Sequence, residues 1–93
     1  MENEKILQVI GLYRDYFVKK GIKPIDFPHD DLPQRDEQIL AHCHGMLSKM
    51  EAFVREGRRD KAFRWLGFIQ GCLWSTGQYL LEDLRNHSRP DTS

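Results

Sequence analysis

Apolar residues recur at spacings of three and four along the first twenty positions, with Ile6, Val9, Ile10, Tyr13 and Phe17 forming a single stripe. That period belongs to one face of an α-helix and predicts a helix over 2–20, closed by Gly21 and favoured at its negative end by Lys19 and Lys20. The next nine residues break the period. Pro24 and Pro28 forbid regular helix, yet Ile22, Ile25 and Phe27 are too apolar for a free linker, so 22–30 reads as an extended arm lying on the helices. Asp31-Leu32-Pro33-Gln34 then predicts a helix start, with Asp31 as N-cap, proline in the first turn and Gln34 at the capping-box position. This helix runs to Glu56 and ends at Gly57. Its two overlapping stripes, Ile39/Cys43/Met46/Met50/Phe53 and Leu40/Leu47/Val54, ask for more than one neighbour.

The short turn at Gly57-Arg58 folds the next helix, from Arg59 to Trp74, back as an antiparallel hairpin. Ala62, Trp65, Leu66, Ile69, Cys72 and Leu73 make its broad face. At about 100° per residue, Phe63, Gly67, Gln70 and Trp74 fall on a second face with Gly71 at its edge, leaving a narrow polar strip that includes Lys61, Arg64 and Ser75. Such a helix, apolar nearly all round, is expected to be buried on most sides. Ser75 and Gln78, again at capping-box spacing, predict a break and a last helix over 76–86 carrying Tyr79, Leu80 and Leu84 inward. The expected fold is all-α: a small bundle of three main helices with a central antiparallel hairpin and a short C-terminal helix, one domain over 1–87 and a frayed tail over 88–93.

Interior glycines cost roughly 0.5–1 kcal/mol relative to alanine, so Gly11, Gly45, Gly67 and Gly71 each need a reason. Two are open: close approach of helices inside the fold, or, for Gly67 and Gly71 beside Phe63 and Trp74, a groove for another chain. Gln70, in the middle of an apolar face, needs partners for its amide, either within the fold or across a two-fold interface with its own copy.

Composition narrows the setting. Ninety-three residues allow one small core, and oligomerisation is a natural way to bury what such a core leaves exposed. Fourteen basic and fourteen acidic residues cancel, which removes any long-range pull toward nucleic acid or an anionic membrane. No apolar run approaches the roughly 18 residues of a membrane span, and the charged N-terminus lacks a signal-peptide core, so a cytoplasmic location is expected.

The candidate chemistry is sparse. His42-Cys43-His44 invites a metal or thiol-nucleophile reading, but neighbours on a helix diverge by about 100° and no C-x-x-C or H-E-x-x-H spacing is present. Cys43 and Cys72 read as buried thiols, able to pair only if their helices face each other there. No catalytic residue, metal or cofactor is expected. Arg55, Arg58, Arg59, Lys61 and Arg64 form the one basic cluster, open to a solvated role, an acidic protein or phosphates.

The elements His42-Cys43 … Met46, Gly57-Arg58 … Lys61-Ala62 … Arg64-Trp65-Leu66-Gly67-Phe68 … Gln70-Gly71 … Leu73 and Leu81-Glu82-Asp83-Leu84 … Asn86 resemble a group of small, mostly uncharacterised proteins of tailed bacteriophages. The resemblance covers about half the chain. It implies a phage or prophage origin, expression in a bacterial cytoplasm, and the accessory role common among such proteins, binding and redirecting a host protein or countering a host defence. The expected function is therefore non-enzymatic binding of a host or phage protein through Phe63, Arg64, Gly67, Gln70, Gly71 and Trp74, with a homodimer on that face as a further expectation. The alternatives are a nucleic-acid-binding regulator using the basic cluster and, less favoured, a small metal-dependent enzyme at His42-Cys43-His44.

Overall fold

A computed structural model describes residues 2–90. The described residues form four helices, α1 (Asn3–Lys19), α2 (Asp36–Arg55), α3 (Arg59–Ser75) and α4 (Leu81–Ser88), and no strands. The stripe predicted for α1 is its buried face, with Ile6, Ile10, Tyr13 and Phe17 fully enclosed. α2 packs against both α1 and α3, which accounts for its wide apolar surface, and α4 packs on α1. Ala62, Leu66, Ile69 and Leu73 of α3 close the core from the other side, joined by Leu84 of α4. An Arg14–Glu51 ion pair ties α1 to α2 at the surface. Among the described residues no helix is long and apolar enough to cross a membrane.

The ends of α2 and α3 share one device. After α2, Gly57 at φ 78° reverses the chain and Arg58 N–H donates to Phe53 O at 2.7 Å; after α3, Gly77 at φ 76° does the same with Gln78 N–H and Leu73 O at 2.8 Å. Each bond returns to a last-turn carbonyl otherwise left without a donor, in a backbone conformation that glycine adopts without a Cβ clash. Gly21 closes α1 in the same way.

The start of α2 corrects the sequence reading. Asp31 does not cap the helix; its carboxylate accepts Leu32 N–H at 2.9 Å, and the helix begins at Asp36. Gln38, rather than Gln34, supplies the side-chain acceptor, taking the N–H groups of Gln34 and Arg35 at 2.5 and 3.1 Å. Pro33 keeps Leu32 out of helical geometry, so the first turn forms beyond it. The last helix also starts late. Thr76 terminates α3 by donating its hydroxyl to Cys72 O at 2.7 Å, and Asp83 opens α4 by accepting Leu80 N–H at 3.0 Å. Leu80 is consequently 70% exposed rather than inward. Ser88 belongs to α4 and not to a tail; of the expected tail, 91–93 lie outside the described residues.

Candidate functional site

The expected binding residues on α3 divide into two groups. Phe63 and Gln70 turn toward the fold, Phe63 packing against the core and Gln70 entering a buried polar chain. The two Nε2 protons of Gln70 go to Tyr13 Oη at 3.0 Å and Ser88 Oγ at 2.9 Å. Tyr13 Oη, which accepts from Gln70, is also hydrogen-bonded to His87 Nδ1, 3.0 Å away, and donates to it when that ring carries its proton on Nε2. Burial pushes the Tyr13 hydroxyl up to about 12, which keeps it a donor. The tilted ring of Tyr79 packs on both Tyr13 and His87, closing this junction of α1, α3 and α4. Gln70 is thus a structural brace, and its amide protons are not available to pair with a second copy.

Gly67, Gly71, Arg64 and Trp74 face outward. A Cβ at Gly67 or Gly71 would meet nothing within 4 Å, which removes close internal packing as their reason; Gly11 is equally open. The prediction of a helix buried on most sides fails here, since Phe68 and Trp74 are each 53% exposed. Around the helix the two glycines lie within about 40° of one another, with Trp74 along one edge and Phe68 along the other. Trp74 and Gly71 also border an open groove of about 510 Å³, whose far wall is Leu81 of α4 and whose rim carries Arg85, Arg89 and Pro90. The sequence offered Leu81 only within the resemblance, Arg89 only within the expected tail and Arg85 not at all, although Leu81, Arg85 and Ser88 stand at helical spacing. Gly67→Ala and Gly71→Ala should each stabilise the protein by about 0.5–1 kcal/mol, through helix propensity alone. Thermal melts of the double variant should rise by several degrees; a fall would mean that the glycines do serve a packed contact.

The His42-Cys43-His44 element has a structural use. The arm runs along α2, where Phe27 N–H donates to His42 Nδ1 at 3.1 Å, Ile25 N–H to Ala41 O at 3.1 Å, and His44 Nδ1–H to Ile22 O at 2.7 Å. Gly45 lies directly under the arm, and any Cβ there would collide with the Ile25 carbonyl. Both histidines are therefore engaged with arm backbone, as opposite tautomers, and among the described residues no three His, Cys, Asp or Glu side chains converge as metal ligands. Cys43 and Cys72, level with one another across the hairpin, are free thiols in contact. Donation to Cys72, with burial added, pushes the Cys43 thiol up, and the same bond draws Cys72 down.

Two of these histidines make stability depend on pH. His42 accepts at Nδ1, His87 Nδ1 is bonded to Tyr13 Oη, and burial holds both below the usual imidazole value. Around His42, Asp26 opposes that shift while His29 and Lys49 reinforce it; around His87, Asp83 opposes and Lys5 reinforces. Depressed folded values mean that the unfolded chain binds more protons in this range. Their contribution is present above about pH 6.5 and is lost as pH falls through the lower folded values. Urea midpoints should therefore decline from pH 7 to 5 with a smaller slope in His42→Asn, whose amide oxygen can still accept Phe27 N–H.

The basic cluster is largely occupied within the chain. Arg55 pairs with Glu51 at 3.5 Å, Arg59 Nε donates to Asn3 at 3.1 Å, and Arg58 and Lys61 lie over the Phe53 ring at 5.1 and 4.6 Å. Lys61 also approaches Trp65, which meets Phe53 edge-on, so these cations cover apolar surface beside the hairpin turn. No protein-family model, curated protein or solved structure matches the chain.

Proposed function

We propose that the protein is a non-enzymatic binding protein whose α3–α4 surface receives an acidic, amphipathic helix of a partner protein. The observation that carries it is the exposed Gly67/Gly71 strip running into a groove between Trp74 and Leu81, rimmed by Arg85 and Arg89. Glycines without neighbours let a second backbone approach closely, tryptophan is the side chain most often found as an interface anchor, and two arginines favour carboxylates on the incoming face. Arg64, on the same exposed side, adds to that charge. An accessory role in a bacterial host cytoplasm belongs to the same proposal and draws on the phage resemblance of 42–87. A nucleic-acid role draws less support, because four of the five basic residues already have partners within the chain.

The test is affinity capture from bacterial lysate with the wild type, Trp74→Ala and Gly71→Leu in parallel, each variant first shown to keep the native helical spectrum. A protein held by the wild type and weakened by about 2 kcal/mol or more in both variants supports the reading. Equal capture by all three, or capture abolished by nuclease, rejects it. Light scattering across concentration checks the second-copy alternative, since a homodimer on this face would be broken by the same substitutions.

A further inference from the structure

The arm does more than cover α2. Between it and the hairpin lies a smaller, half-open cavity of about 190 Å³, with Phe27, Pro28, Pro33, Ile39 and Phe68 as its apolar walls and His29, Gln38 and His42 as its polar ones. Its walls are set before any guest arrives: the arm is bonded to α2 at Ile22, Ile25 and Phe27, and Gly45 lets it lie flush. The volume is below the roughly 300 Å³ at which drug-sized and cofactor pockets begin, but above the roughly 150 Å³ of an apolar cavity that admits benzene. A nucleotide does not fit, and a single ring does.

The lining selects further. Two phenyl rings, two prolines and an isoleucine give mostly carbon, Gln38 and two histidines give a polar edge, and no lysine, arginine or carboxylate borders the space. A charged guest therefore finds no carboxylate, lysine or arginine to pair with, which favours a neutral one. His42 supplies a polar contact. Its Nδ1 is filled by Phe27 N–H, so its own N–H is at Nε2, a donor rather than an acceptor. Phe68, edge-on to His42 with ring centroids 6.4 Å apart, stands at the rim with half of its surface in solvent, which a guest would cover.

We infer that this cavity binds a neutral, single-ring aromatic molecule carrying one hydrogen-bond acceptor, the class of phenol and benzyl alcohol, with its ring against Phe27 and Phe68 and its oxygen on His42 Nε2–H. The site is separate from the α3–α4 groove and stands or falls independently of it.

Titration of the ¹⁵N-labelled protein with phenol and with toluene tests the inference. Saturable shifts at the Phe27, Ile39 and Phe68 amides are expected with both probes, and Phe68→Ala, at an exposed position that leaves the core intact, should weaken both. His42→Asn keeps an acceptor for Phe27 N–H, but its shorter amide places no N–H at the Nε2 position, so phenol should weaken about tenfold while toluene is unchanged. Absence of saturable shifts, shifts centred on Trp74 and Leu81, or indifference to Phe68→Ala would overturn the site. Equal weakening of both probes by His42→Asn would overturn the role given to Nε2.

Discussion

Gly45→Ala should destabilise the protein by about 1–3 kcal/mol, although alanine is the better helix former by about 1 kcal/mol. The added methyl would collide with the carbonyl oxygen of Ile25 and lie 3.1 Å from its carbon, and both are backbone atoms that cannot rotate aside. The arm must lift, breaking or stretching the bonds at Ile22, Ile25 and Phe27, each worth roughly 1 kcal/mol, and uncovering the half-buried Ile22 and Phe27. The loss is local, because α1, α2 and α3 keep their own contacts. Chemical denaturation should give the net value, and amide exchange should show Phe27 and Ile25 losing protection while Leu47 and Ile69 retain theirs. Gly11→Ala, where nothing lies within 4 Å, is the control and should stabilise. A more stable Gly45→Ala with an unchanged Phe27 amide would mean that the arm does not rest on that glycine.

The second large effect is expected at Tyr13. Tyr13→Phe preserves the ring packing against Tyr79 and His87 and removes only the hydroxyl between Gln70 and His87. It takes the partner from one amide proton of Gln70 and from the Nδ1 of His87 at a part-buried junction of α1, α3 and α4, which should cost about 0.5–1.5 kcal/mol. Gln70→Leu removes the other end of the chain, and the two substitutions together should cost clearly less than their sum, since each already breaks the Tyr13–Gln70 bond. Strict additivity in urea denaturation would show the two side chains to be uncoupled.

Much of the fold was legible because helical periodicity is a local signal. The stripe of α1, the double stripe of α2 and the core residues Ala62, Leu66, Ile69 and Leu73 follow from spacing alone, and so do the three terminal glycines. The starts of α2 and α4 were misplaced because Asp31/Gln34 and Ser75/Gln78 match the capping pattern as well as the residues that do the capping. Gln38 and Asp83 win through backbone geometry that Pro33 and Gly77 impose. The exposure of Phe68 was not legible, because angular placement gives direction along one helix, while exposure depends on where the neighbouring helices end. The candidate site was half legible for the same reason. Gly67, Gly71 and Trp74 could be placed on one side of α3, whereas the opposing wall from Leu81 to Pro90 appears only once α4 is set beside it. The partners of Gln70 are 57 and 18 residues away, beyond any local pattern.

The opposite tautomers of His42 and His44 give the arm a latch and a hinge. His44 Nδ1–H donates to Ile22 O, whereas His42 Nδ1 accepts from Phe27, a bond that only the neutral His42 ring can make. Protonation of His42 therefore removes the bond at Phe27 and leaves the backbone bond from Ile25 to Ala41 in place. Phe27 and His42 both line the ring-sized cavity, so one stretch of its wall is held by a bond that belongs to the neutral molecule.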